Sequence, residues 1–220
     1  LERITKNLGY NIKFDNYKNI HQNINNLLNK VDNTPEKNLV DTLVIRCMSK
    51  AKYSTKNIGH FGLSFEKYTH FTSPIRRYPD VIVHRILQNL LINNQKTIKS
   101  LEDNCIYLSS REELATKAER SSIKFMQVKY MSSKVNKKYI GVISGIMERG
   151  IFIELKENKC EGFVRVKDIP GDYFVFDEKS FLMQGRNTKE EYRLGDELLV
   201  QVKGVNEQKK QIDFLLLEKI

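Results

Sequence analysis

The sequence predicts an α+β protein: a mainly helical part over residues 1–136, then a five-stranded OB-fold β-barrel over 137–220. Two observations carry this. Up to about Ser133 the apolar residues recur at helical spacing, and at Lys137 the period changes from 3.6 to 2. Beyond that point five short strands fall within about 80 residues, which suits a small OB barrel, a fold that commonly presents one face to oligonucleotides.

In chain order, 1–9 reads as a helix tail stopped by Gly9. Ile20, Ile24, Leu27 and Leu28 give the next helix one apolar face. Thr34-Pro35-Glu36 has the layout of a helix start, with an N-cap, a first-turn proline and a first-turn acid. Leu39, Leu43 and Cys47 form its stripe, and it is expected to end near Tyr53. From Ser73 to about Asn93 the chain reads as helical. Ile82, Ile86 and Leu90, with Val83, Leu87 and Leu91, give this helix a wide face that predicts good burial. Pro79 either kinks it or marks the true first turn of its longer part. His84 is expected to be a packing histidine. Residues 92–101 read as a polar connection, and Ser110-Arg111-Glu112-Glu113 as a capping box. A long helix to about Ser133 follows, with Leu114, Ala118, Phe125 and Met126 inward.

The strands are expected at 139–146, 150–155, 162–166, 198–205 and 211–217. An insert between the third and fourth carries Asp172-Tyr173-Phe174-Val175-Phe176-Asp177 and Tyr192-Arg193-Leu194-Gly195-Asp196. Alternation sends Ile151 and Ile153 to one side and Phe152 to the other.

The stretch from His60 to Arg85 concentrates three chemistries. Phe61, Phe65, Tyr68, Phe71 and Tyr78 offer faces on which bases can stack. Arg76 and Arg77 offer planar, bidentate phosphate donors. Ser73 as N-cap and Pro74 as first helical residue would place both arginines in a first helical turn, where unpaired N–H groups attract anions. A phosphate clamp beside a stacking surface reads as a single-stranded nucleic-acid site. From these residues alone, an ordinary capped helix with a solvated charged turn stands at equal odds.

Composition narrows the classes. With 40% hydrophobic and 29% charged residues the chain has a globular composition. It has no apolar run of the roughly 18 residues that a membrane helix needs. No signal-peptide layout is seen, and the leading Leu1 suggests a piece of a longer polypeptide. Cys47, Cys105 and Cys160 are few and scattered, which argues for a reducing cytoplasm and against a structural zinc site. The net charge of +10 is uneven: residues 1–136 hold 22 Lys+Arg against 12 Asp+Glu, and 137–220 hold 15 against 15. The basic excess lies with the arginine pair and favours a polyanionic partner.

The runs HFGL and THFTSPIRRYPD, followed by His84-Arg85, resemble the ribonuclease II / ribonuclease R family of 3′-to-5′ exoribonucleases, closest to its ribonuclease R branch. The resemblance covers nearly the whole chain. It implies that 1–136 is the C-terminal portion of the RNB catalytic domain and 137–220 an S-one-type RNA-binding domain, named for a ribosomal protein. The second part rests on the GVIS strand, the glycine-aromatic strand and YRLGD. The resemblance further implies that Arg76 contributes to catalysis by gripping the phosphate near the scissile bond. Tyr68, Phe71, Thr72, Ser73, Arg77 and Tyr78 would position the strand. Glu119, in Ala118-Glu119-Arg120, would lie near the 3′-terminal nucleotide. Arg149, Phe152 and Arg165 would meet RNA on the barrel. Two of these depart from the family, which often has an aromatic at the place of Arg149 and a histidine at that of Arg165.

Hydrolysis in this family uses magnesium held by clustered aspartates, and no such cluster stands in this sequence. Glu102-Asp103 and Glu112-Glu113 are separate pairs that read as solvated surface. The resemblance therefore implies magnesium ligands upstream of this chain, none bound by the chain itself, and a fragment that clamps RNA without cleaving it. The expected partner is the single-stranded 3′ end of RNA, with no membrane, and a monomer is expected. A non-catalytic RNA-binding module stays open as an alternative, and more weakly a single-stranded DNA-binding protein.

Overall fold

The computed structural model describes residues 2–12, 20–34, 37–63, 65–92 and 100–220. Pro35, Glu36 and most of the expected polar connection at 92–101 lie outside them. The chain divides into two compact units, one made of 1–48 with 121–220 and the other of 49–120.

The first unit begins with α1 (Glu2–Asn7), α2 (Ile20–Val31) and α3 (Lys37–Cys47). Gly9 closes α1 at φ +88°, a left-handed conformation that costs glycine little, and its N–H donates to the Lys6 carbonyl. Leu27 and Val31 of α2 pack against Val40 and Val44 of α3 in a small apolar cluster. Helix α3 ends at Cys47 rather than near Tyr53. The Leu39–Leu43 stripe is buried as the spacing requires, but Cys47 is exposed. Met48 and Ala51, which follow, are exposed as well, so a longer helix would bury little more apolar surface.

The barrel is closed in the order β1 (Lys138–Met147), β2 (Gly150–Leu155), β3 (Glu161–Arg165), β8 (Gln211–Lys219), β7 (Glu197–Asn206), and back to β1. All pairings are antiparallel except β3 with β8. Closure removes the exposed edges that an open sheet would offer to other chains. Ile143, Ile151, Ile153, Leu155, Val164, Leu198, Val200, Val202, Ile212, Phe214 and Leu216 fill the interior. Gly162 sits against the Phe214 ring, where an added Cβ would come within 2.4 Å of it. Gly150, at φ +151°, turns β1 into β2 where a Cβ would meet the Val164 carbonyl at 2.1 Å.

The five barrel strands lie where the period-2 reading expects them. The insert between β3 and β7, read only as an insert, forms a sheet of its own: β4 (Phe174–Asp177), β5 (Leu182–Gly185) and β6 (Glu191–Tyr192). Such short strands carry too few residues for a periodic signal. Asp172 pins this insert. Its carboxylate accepts from the backbone N–H groups of Tyr173, Asn187 and Thr188 and from both the Asn187 amide and the Thr188 hydroxyl, at 2.7–3.0 Å. The Thr188 N–H is the largest of the influences that hold this carboxyl well below the usual range. A carboxyl with a depressed folded pKa contributes stability that is present above its unfolded value, about 3.9, and is lost as pH falls through the folded value. Asp172→Asn is therefore expected to lower the melting temperature at pH 7 and to flatten its fall below about pH 4. Parallel acid melts of the two chains check this.

The second unit holds the 3₁₀ turn Phe61–Leu63, helix α4 (Tyr78–Leu91) and the first part of α5 (Leu101–Ser132). Four expectations are corrected here. Helix α4 starts at Tyr78, not at Pro74: Arg77 is the N-cap, and of the two alternatives for Pro79 the true first turn is the one observed. A helix begun at Pro74 would set the Pro79 ring against the Ile75 carbonyl, so the chain makes a separate turn first. The wide face of α4 is not well buried. Ile82 is, but Leu87, Leu90 and Leu91 are exposed. Helix α5 runs through Ser110, so no capping box operates there, and the Ser110 hydroxyl donates to the Tyr107 carbonyl. Leu114, Ala118, Phe125 and Met126 are exposed, while Val128 and Met131 are buried. Helical spacing says which residues share a face, not whether anything covers it.

Candidate nucleic-acid interface

The first surface lies in the second unit. His60 and Phe65 form an isolated antiparallel bridge, with the His60 N–H donating to the Phe65 carbonyl at 2.8 Å. This folds the aromatic stretch into a layer of rings. Phe65 stacks on Tyr68 with centroids 6.1 Å apart and planes within 8°. His60 and His70 meet Tyr68 edge-on at 4.8 and 5.8 Å. The Tyr53 hydroxyl lies 2.9 Å from His70 Nδ1. Burial, and then the nearby Arg77 charge, push the His70 pKa down, so this ring is neutral at pH 7. Phe65, Tyr68, Phe71 and Tyr78 are each 43–54% exposed, so their faces are open to a ligand. A cavity of about 430 Å³ opens beside the layer, with Tyr53, His60 and Tyr68 on one side and Ile82, Val83 and Ile86 on another.

The Ser73–Arg77 turn follows. The N–H groups of Arg76 and Arg77 both donate to the Ser73 carbonyl, at 3.3 and 3.0 Å. This directs the two arginines differently. Arg76 is exposed and has no ion-pair partner among the described residues. Arg77 turns inward and donates from Nη2 to Asp80 Oδ2 at 2.9 Å, its side chain only 17% exposed. The expected pair of free guanidiniums is thus one free and one committed. Ser73 does not cap with its hydroxyl. Its backbone N–H donates to Asp80 Oδ2 at 2.7 Å instead. Thr72 is exposed beside it.

Asp80 is the residue that the sequence reading missed. It is fully buried. Burial pushes its carboxyl up, but the Ser73 N–H and the Arg77 guanidinium outweigh this and hold it below the usual range. Its one sequence signal was an acid in the first turn of a helix, which also suits the helix dipole. His84 is a packing histidine, as expected: Nε2 lies 2.8 Å from the Phe71 carbonyl, and the two rings are 4.4 Å apart. Glu119 and Arg120 are exposed on α5, and among the described residues neither bonds to the Arg76 turn.

The second surface is the outer face of the barrel. Phe152 and Phe163 are register partners on β2 and β3, their rings 4.9 Å apart. Both point away from the interior, as alternation requires of Phe152. Phe163 was missed, although the same parity, with Gly162 and Val164 inward, identifies it. Arg165 is exposed at the end of β3, 3.4 Å from Asp213, an ion pair too solvated to hold it firmly. Arg149 is exposed in the turn before β2. Arg46, at the end of α3, reaches the Ser144 carbonyl at 3.5 Å and lies above Gly145, next to Phe152. No sequence signal linked Arg46 to this face.

One member of each acidic pair has a structural partner. Glu102 accepts from the backbone N–H of Thr55 at 2.9 Å and from its hydroxyl. Glu113 pairs with Lys50 and Lys117. Among the described residues no group of three or more His, Cys, Asp or Glu could hold a metal ion. No helix among these residues is long and apolar enough to cross a membrane.

Residues 1–93 match the RNB domain, and residues 133–216 match the S1 RNA binding domain. The ribonuclease R of Aquifex aeolicus is 39% identical over 224 residues, covering 100% of this chain. The chain belongs to the ribonuclease R family. The Escherichia coli ribonuclease R is 34% identical over 87% of the chain. Among solved structures, the apo form of Mycoplasma genitalium ribonuclease R superposes with a TM-score of 0.83 over 98% of the chain, at 28% identity. The same score, identity and cover hold for that protein in complex with ribose-methylated single-stranded RNA. The chain spans 32% of the Aquifex protein, 25% of the E. coli protein and 35% of the Mycoplasma chain.

Proposed function

We propose that this chain supplies the RNA-clamping part of a ribonuclease R that hydrolyses RNA from its 3′ end to nucleoside 5′-monophosphates. The observation that carries the reading is Arg76, exposed and without an ion-pair partner among the described residues, on a turn flanked by open aromatic faces. Its guanidinium holds the phosphate near the scissile bond and offsets charge developing there. Tyr68, Phe71 and Tyr78 stack or space the bases, and Thr72 and Ser73 shape the turn. Arg77, committed to Asp80, serves by holding that turn. Glu119 lies near the terminal nucleotide. On the barrel, Phe152 with Phe163 forms the stacking platform, and Arg149, Arg165 and Arg46 meet phosphates. Arginine–phosphate and stacking contacts tolerate any base, so no base preference is expected.

Magnesium would supply the activated water and neutralise the transferring phosphoryl group. Its ligands lie outside these residues, the chain alone does not cleave, and it works in the cytoplasm as a monomer. The missing carboxylate cluster favours one second reading, a non-catalytic RNA-binding module.

The test is binding and cleavage of a labelled single-stranded RNA by the chain with magnesium, at two salt concentrations. Binding that weakens with salt, without cleavage, is the expected result. Release of monophosphates would place a metal site within this chain. Absence of binding at low salt would remove the RNA reading from both surfaces.

A further inference from the structure

We propose that Asp80 and His84 are positioning residues, a two-point clamp on one face of α4 that holds the 71–77 turn so that it presents Arg76. The inference rests on the phosphate-holding role of Arg76 proposed above.

Asp80 and His84 are four residues apart in one helix, so they share a face. Each grips the backbone of the preceding segment, two residues apart. Asp80 Oδ2 accepts the Ser73 N–H at 2.7 Å. His84 Nε2 lies 2.8 Å from the Phe71 carbonyl. A carbonyl can only accept, so Nε2 donates and carries the hydrogen. A third tie, from Arg77 to Asp80 at 2.9 Å, closes the far side of the turn. Arg76 therefore stands between anchored points at 71, 73 and 77.

The turn needs such anchors because apolar burial does not hold it. Ile75, at its apex, is fully exposed, and Arg76 beside it is exposed too. The hydrophobic effect is also non-directional and could not aim a guanidinium. Nor does capping explain Asp80. The Arg77 side chain makes no capping bond, and the Arg77 N–H donates to the Ser73 carbonyl rather than to Asp80, whose fully buried carboxylate is directed to the turn. Removing a charge from water is costly unless it is paired, and among the described residues both partners of Asp80 belong to the turn.

The test measures binding of a short fluorescent oligouridylate by the 220-residue chain across a salt series, with thermal melts. Arg76→Ala is expected to lower the slope of log affinity against log salt by about 0.7, one phosphate contact to a single strand. Asp80→Asn and His84→Leu should lower it equally. His84→Gln should bind as the parent does, because its amide can donate to the same carbonyl. Combined with Arg76→Ala, neither clamp variant should cause further loss, since residues acting through one another are non-additive. Additive losses, or unchanged slopes in folded His84→Leu and Asp80→Asn while Arg76→Ala shows its loss, overturn the clamp alone. An unchanged slope in Arg76→Ala overturns the phosphate role, and the clamp's purpose with it. Should Asp80→Asn fail to fold, the contrast of His84→Leu with His84→Gln decides.

Discussion

Replacing Arg76 by alanine in a full-length ribonuclease R carrying these residues is expected to lower turnover about 10²–10³-fold, with far less change in RNA affinity. Two features set this size. Among the described residues Arg76 has no internal ion pair, so its donors are available to a phosphate. Charge accumulates on the phosphoryl oxygens as the bond breaks, so a fixed guanidinium is worth more in the transition state than in the ground state. Binding is spread over the aromatic layer and the barrel face, and it survives the loss of one contact. Arg76→Lys should keep binding almost intact and still lose turnover, because an ammonium lacks the planar two-donor fork. Single-turnover kinetics on a labelled RNA separate the two quantities. Unchanged turnover in Arg76→Lys would remove Arg76 from the catalytic machinery.

In the barrel, Phe214→Ala is expected to cost about 3–5 kcal/mol, a large share of the stability of a small domain. Phe214 is fully buried in β8, and its ring fills the space that Gly162 leaves open on β3. Truncation leaves a cavity in a closed barrel whose strands cannot move together to fill it. The reciprocal change is informative. Gly162→Ala would push a methyl into the ring and cost about 1–3 kcal/mol by overpacking. Added to Phe214→Leu, it should cost less than the sum of the two single changes. Urea melts followed by far-UV circular dichroism provide the numbers. A Phe214→Ala loss under about 1 kcal/mol would mean that the ring is not central to the barrel core.

Much of this fold was legible because its signals are local. The barrel strands announce themselves through alternation, and Phe152 faces outward by parity alone. Gly9 stops α1 where glycine tolerates a left-handed backbone. The aromatic run and TSPIRR are contiguous in sequence, and they fold into neighbouring rings and a turn with Arg76 exposed. The helix stripes were legible too, but only as faces: Leu114 and Leu90 lie on apolar stripes and are exposed.

Tertiary structure decided what depends on partners distant in sequence or on competition between neighbours. Two adjacent arginines read alike in a sequence. One points to solvent and the other is spent on Asp80, because the turn at Ser73 places a buried carboxylate within reach of Arg77 alone. Pro79 moved the start of α4 past the expected Ser73 cap, since its ring forbids a helix begun four residues earlier. Phe163 became the ring neighbour of Phe152 through register across β2 and β3, and Arg46 came to the same face from a helix about a hundred residues away. Composition, periodicity and motif thus determined the kinds of element and the chemistry they carry. Which donor is free, which face is covered and which rings meet were decided by through-space hydrogen bonds and packing, which have no fixed spacing along the chain.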